Sequence, residues 1–242
     1  MSYDVLKQRL DASDIIILDG GIGTELERRG APMDPDAWCG PATLHAERLL
    51  TEIHADYIAA GAEVITANTY ASSRLMLSLG GYGDQVEEIN RRAIEAALRA
   101  RDAVSRSTSV VVAGSLSHMV PISEGTMIED SGKLPNDVEI AAAYHELARI
   151  LAASGCQLII LEMMYHPKRV RLALDAALST GLPVWFGLSA RKTKNGTLTS
   201  YLQTEELPLG EIATLIPNKG IDAAGVMHTG AQLVIEALQS VQ

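Results

Sequence analysis

The chain has 242 residues, of which 47% are hydrophobic and 21% charged, enough to bury a substantial core and unlike the composition of a disordered protein. Its formal net charge is −10, from 30 acidic against 20 basic residues, and the one notable local basic cluster is Arg191-Lys192-Thr193-Lys194. Nucleic-acid binding needs concentrated Lys and Arg, so this balance argues against it. Two cysteines, Cys39 and Cys156, make no disulfide framework, the N-terminal MSYDVLKQRLDAS has no apolar stretch of signal-peptide type, and no apolar run approaches the roughly 20 residues that cross a bilayer. The expectation is a cytoplasmic protein with no membrane role and, since no low-complexity or Pro/Gly/Ser-rich linker interrupts it, a single domain over residues 1–242.

In chain order, apolar and often β-branched runs recur at Ile15–Leu18, Glu63–Thr66, Ser109–Val112, Leu158–Leu161, Pro183–Phe186 and Ala223–Val226. They are continuous rather than alternating, as strands covered on both faces are. Between them the spacing is helical, for instance at Leu49, Ile53 and Tyr57, or from Val86 through Ile89 to Ala97. Asp84 with Glu87, and Asn136 with Glu139, have the capping spacing of a helix start. Gly61, Gly155, Gly181 and Gly220 each stand just after a helical segment, where a left-handed C-cap is needed.

Strict alternation of strand and helix gives a parallel sheet, either open and doubly wound or closed as an eight-stranded barrel. Chain length, the absence of a Gly-x-Gly-x-x-Gly or Walker loop after the first strand, and polar groups after nearly every strand favour an α/β fold of the TIM-type (β/α)8 barrel. Only about six β/α units are evident. Either two strands escape the pattern, or the chain stops before the barrel closes, at the amphipathic segment from Leu233 to Val241.

In such folds the chemistry sits beyond the C-terminal strand ends. The first strand ends in Asp19-Gly20-Gly21-Ile22-Gly23-Thr24, a glycine-rich turn that lets a backbone approach a ligand, with Thr24 placed to cap the next helix; a simple tight turn reads the same way. The second ends in Asn68-Thr69-Tyr70, the third in Gly114-Ser115-Leu116-Ser117-His118, the fourth in Glu162-Met163-Met164-Tyr165-His166 and the sixth in Met227-His228-Thr229. Glu162, directly after an apolar strand, needs a cationic partner, either Lys168 or Arg169 on the following helix or a bound ligand. His118, His166 and His228 all follow strands and with Glu162 are candidates for a nitrogen/oxygen metal site, although neither His-x-His nor His-Glu-x-x-His is present. Cys39 and Cys156 fall at opposite ends of a barrel and cannot share a metal.

Leu18-Asp19-Gly20-Gly21-Ile22-Gly23-Thr24-Glu25-Leu26 followed by Ala60-Gly61-Ala62-Glu63-Val64-Ile65-Thr66-Ala67-Asn68-Thr69-Tyr70 resembles the first two units of homocysteine S-methyltransferases. Gly114-Ser115, Gly155 through Glu162 and Gly225-Val226-Met227-His228 continue the likeness in order. The resemblance implies a (β/α)8 barrel that binds homocysteine and moves a methyl group to its sulfur from a sulfonium, betaine or folate donor, giving methionine. It implies that Asp19 and Glu162 hold the substrate ammonium, that the Gly20 to Thr24 amides (Gly20, Gly21, Gly23 and Thr24 among them) hold its carboxylate, and that Asn68, Thr69 and Tyr70 line the pocket. Zinc held by three cysteines is the implied cofactor. His228 stands where the first of these cysteines is expected, and no Gly-Gly-Cys-Cys segment occurs, so His228 is the one metal-ligand candidate and the zinc set is incomplete. The partners expected are an amino-acid thiol and a methyl donor, with a homo-oligomer open. A catalytically silent or truncated barrel that binds a small amino acid or a partner, and a metallohydrolase built on the three histidines, stand as alternatives.

Overall fold

Six short apolar segments lie side by side in the order in which they occur in the chain. The computed structural model describes residues 3–104, 110–121, 132, 134–217 and 219–241. Helix α1 (Tyr3–Asp11) precedes segment 15–18, which is followed by α2 (Ile22–Arg28), α3 (Ala42–His45), α4 (Glu47–Ala59), β1 (Val64–Thr66), α5 (Arg74–Leu77) and α6 (Val86–Val104). Then come β2 (Val111–Ser117), α7 (Asp137–Ala153), β3 (Leu158–Met164), α8 (Pro167–Leu178) and β4 (Val184–Leu188). The described chain ends with β5 (Ala190–Lys192), β6 (Leu198–Ser200), α9 (Leu209–Ala213), β7 (Ala223–Val226) and α10 (Val234–Gln239).

Strands β1, β2, β3, β4 and β7 pair in parallel in that order, with helices on the outer face. The result is a curled parallel sheet, a partial barrel of TIM type, in which β2, β3 and β4 are buried almost throughout. Segment 15–18, expected as a full strand, meets β1 through one bridge, Leu18 to Val64, and is not assigned as a strand. Its outer side has no strand partner among the described residues, and Ile15 is 79% exposed. An edge segment paired on one side only gains half the ladder of an interior strand. Of the third expected strand, Ser109 lies outside the described residues.

Local sequence explains most element ends. Asn136 accepts from the Val138 and Glu139 backbones while Glu139 accepts from the Asn136 N–H, the reciprocal cap expected at the start of α7. Asp84 makes no such cap; a short 3-10 turn over Gly83–Gln85 runs straight into α6 instead. Gly61, Gly155, Gly181 and Gly220 all have positive φ, as helix-ending glycines should. At Gly114 a Cβ would come within 2.8 Å of the Leu151 methyls, so a glycine in β2 lets α7 pack against the sheet.

Two features were not expected. Helix α1 packs across the end of the sheet opposite the candidate site, with Leu6 fully buried, and Tyr3 donates to Asp222 while accepting from the Trp185 indole. The basic cluster at 191–194 belongs to an antiparallel hairpin of β5 and β6, where Gly196 (φ 83) makes the turn and Arg191 donates to the Leu202 carbonyl.

Candidate functional site

The C-terminal strand ends enclose a cavity of about 350 Å³ lined, among others, by Asp19, Thr66, Tyr70, Glu162, Met227 and His228. Of the residues singled out in the sequence, Gly20, Gly21, Gly23, Thr24 and Asn68 also line it. Segment 15–18, β1, β3 and β7 therefore contribute to one concave site through their C-terminal ends, the arrangement expected of a barrel mouth.

The turn after segment 15–18 is tight because its glycines must be small. A Cβ on Gly20 would lie 2.6 Å from the Tyr57 hydroxyl, and one on Gly23 would lie 2.6 Å from the Trp38 ring and 2.8 Å from Cys39 Sγ. Gly21, not Thr24, is the N-cap of α2; Thr24 lies inside the first helical turn and makes no cap hydrogen bond. Asp19 accepts from the Thr66 backbone N–H at 2.6 Å and from its hydroxyl at 3.0 Å. Burial nonetheless pushes its carboxyl up to about 7; the Thr66 hydrogen bonds oppose that rise and the nearby negative Glu162 adds to it.

Glu162 reaches the cavity through a bulge. Leu161 pairs with Phe186 and Met164 with Leu188, so Glu162 and Met163 together oppose Gly187 alone. A bulge of this kind bends the strand and re-aims a side chain. Ser115 in β2 donates to Glu162 Oε2, and His228 Nε2 stands 2.9 Å from Glu162 Oε1. The two helix cations weighed as partners are elsewhere: Lys168 pairs with Asp137 at 2.6 Å, and Arg169 is buried beside His118. A Cβ on Gly187 would fall 2.3 Å from Met227 Sδ, so this glycine is what admits the Met227 side chain beneath the site.

Backbone strain is concentrated here. Four non-glycine residues among those described have positive φ; Trp38 (46°) and His228 (47°) line the cavity, and Met163 (61°) follows Glu162 and lines the neighbouring hollow. Such conformations cost about 1–3 kcal/mol each and persist where the surroundings enforce them. Trp38 packs edge-on to Tyr70 at 6.2 Å, and Tyr70 lies nearly parallel to His228 at 5.7 Å.

Two expectations need correction, those for Thr69 and for the three histidines. Thr69 does not line the cavity; it is fully buried, and its hydroxyl donates to the Ser115 carbonyl and accepts from the Ser115 N–H, tying β1's end to β2. The amide nitrogen of Asn68, although it borders the cavity, is engaged with the Cys39 carbonyl and Thr43. The three histidines do not converge: buried His118 accepts the Tyr165 and His166 backbone N–H groups at its Nε2, and lines a smaller neighbouring hollow. Cys39 borders the cavity but burial pushes its thiol up to about 12, which opposes its use as a thiolate ligand. Cys156 is in the core, away from the site.

No three His, Cys, Asp or Glu side chains among the described residues come together to hold a metal ion. Zinc takes three or four protein donors, and the imidazole proposed as a ligand directs one ring nitrogen at a carboxylate. The described donor set does not fit the zinc that the resemblance implies. The residues that sequence reasoning missed are Thr66, read only as a β-branched strand former, Ser115 as the partner of Glu162, and Trp38, which sits in an aperiodic loop held by Asp34.

The model of the homocysteine S-methyltransferase family matches residues 16–241, nearly the whole chain. The chain belongs to the homocysteine S-methyltransferase family. It is 25% identical to homocysteine S-methyltransferase 4 of Zea mays, over 96% of this chain and 70% of that one, and 28% identical to homocysteine S-methyltransferase of Escherichia coli K12, over 94% and 75%. Selenocysteine methyltransferase of Astragalus bisulcatus is 25% identical over 74% of this chain and 60% of its own length. The fold is similar to that of the homocysteine methyltransferase MmuM of Escherichia coli in its metallated form, with a TM-score of 0.76 and 21% identity over 97% of this chain and 81% of that one. Family membership makes this a methyltransferase-like enzyme. No helix among the described residues is long and apolar enough to cross a membrane.

Proposed function

We propose that the cavity binds an amino-acid thiol, homocysteine by family, and that the protein transfers a methyl group to its sulfur from a sulfonium, betaine or folate-type donor. The observation that carries this reading is the pair of acids, Asp19 and Glu162, which the first and fourth segments of the sheet contribute to one cavity. Two carboxylates facing one space repel each other, which is part of why the Asp19 carboxyl sits near 7. A ligand ammonium between them relieves that repulsion and favours both ionised forms. The turn from Gly20 to Thr24 would take the ligand carboxylate, and Tyr70 and Trp38 would wall the apolar stem. Incubation with homocysteine and S-methylmethionine is expected to form methionine; no product with any of the three donor classes would remove the reading.

A second reading has an observation of its own. Since the described donors do not complete a zinc site, a protein that binds the amino acid without transferring methyl is favoured if homocysteine binds with unchanged affinity after chelation and no donor yields product.

A further inference from the structure

Ser115, Glu162 and His228 form a hydrogen-bonded chain from the sheet interior to the cavity. With Glu162 as a carboxylate, which can only accept, the proton between it and His228 belongs to the imidazole, and a neutral ring is then the tautomer protonated at Nε2. Nδ1 then carries a lone pair. No described group donates to it, and the half-exposed ring borders the cavity, with 41% of the side chain accessible. The ring plane is fixed on three sides: by Glu162, by Tyr70 stacked at 5.7 Å and 22°, and by the left-handed backbone of His228 itself. Glu162 is fixed in turn by Ser115 and by the bulge at Met163. A histidine oriented by a carboxylate through one nitrogen, on a ring that borders a ligand cavity and whose other nitrogen has no described partner, has the geometry of a general base.

We propose that Nδ1 of His228 accepts the proton of the acceptor thiol, with Glu162 as its orienting residue and Ser115 as the residue that positions Glu162. The proposal rests on the reading of the cavity as an amino-acid-thiol site. The S–H bond breaks, a new N–H bond forms at Nδ1, and the electron pair stays on sulfur. Glu162 stabilises the resulting imidazolium. With a sulfonium donor, the thiolate pair forms the new S–CH3 bond as the donor's own S–CH3 bond breaks, and that pair stays on the departing sulfur. A thiolate and a sulfonium become two neutral thioethers, and His228 returns its proton to water. Glu162 keeps lone pairs for the ligand ammonium, because each oxygen has one named partner so far.

The experiment compares the unaltered chain with His228→Asn, chosen because Asn tolerates positive φ, and with His228→Gln, which keeps more of the length. Each protein is titrated with homocysteine in the presence of a metal chelator while thiolate ultraviolet absorbance is followed, and with norvaline, which lacks sulfur, by calorimetry. The proposal expects the unaltered chain to show bound thiolate without added metal. It expects both variants to fold and still to bind norvaline, to lose the thiolate absorbance, and to lose about 100-fold or more in methyl transfer. Thiolate absorbance undiminished in a folded variant, or appearing in the unaltered chain only when zinc is added, overturns it. Homocysteine bound as the neutral thiol by the unaltered chain overturns the proposal and leaves the binding reading intact. Failure of both homocysteine and norvaline to bind overturns both.

Discussion

The two walls of the cavity hold their acids in different ways. On one wall Asp19 is half-buried, and both its oxygens are satisfied by a single residue, Thr66, on the adjacent strand. On the other, Glu162 is presented by a bulge, hydrogen-bonded to a serine on one side and a histidine on the other, with its side chain 19% exposed. The contrast shows how one residue class serves two ends: a carboxylate held by one neighbouring residue, whose charge depends on what binds, and a networked one able to hold an imidazole in a single orientation.

The largest expected effect comes from removing either acid. Asp19→Asn and Glu162→Gln should each weaken amino-acid binding by about 2–3 kcal/mol, roughly 30- to 150-fold, because each leaves a bound ammonium short of one carboxylate. Only Glu162→Gln should also abolish the bound thiolate, which would separate the walls. Next comes the turn that carries the first wall. Gly23→Ala drives a methyl into Trp38 and Cys39, so calorimetry should show a lowered melting temperature and weakened binding. Gly21→Ala, whose Cβ meets nothing closer than 3.7 Å, should lower the melting temperature less, by the loss of a favourable N-cap residue alone.

A smaller effect follows from pH. With methionine as a ligand that has no thiol to titrate, affinity should fall as pH is lowered through about 7, because Asp19 protonates and loses its attraction for the ammonium. Asp19→Asn should flatten that profile, and an unchanged profile would show that Asp19 does not face the ligand. Folding stability has a different acid sensor in His54, buried in α4 with neither ring nitrogen bonded among the described residues. Burial pushes its folded value from 6.5 down to about 3, below the unfolded one. Its contribution is intact above 6.5 and is lost progressively as pH falls from there toward 3. His54→Gln should therefore narrow the gap in melting temperature between neutral and acid solution. The smallest effect belongs to Lys168→Ala, which breaks only a surface pair with Asp137 and should cost about 0.5 kcal/mol or less in stability, with binding untouched.

Much of the fold was legible because its signals are local. Continuous apolar runs marked all six sheet segments, five of which are strands, helix-ending glycines marked four strand approaches, and Asn136 with Glu139 marked a helix start. Segment 15–18 read as a full strand because its composition is that of one; what it lacks is a second neighbour, a tertiary fact. The hairpin at 190–200 was missed because three-residue strands are too short to show a period, although Asn195-Gly196 was a turn signal. In the site, residues at strand ends could be named from position, but direction could not. Thr69 turns into the sheet and Thr66 toward Asp19, and nothing in a β-branched residue's identity separates the two. The Glu162 bulge and the left-handed His228 are tertiary compromises, so the pairing of those two side chains was not to be read from their spacing.

The most direct test uses two ligands that differ only in the amino group. Calorimetric titration with homocysteine and with 4-mercaptobutyrate, at matched pH and in chelator, asks whether the two walls grip a charged nitrogen. The account predicts that homocysteine binds and mercaptobutyrate does not. Equal binding of the two would contradict it.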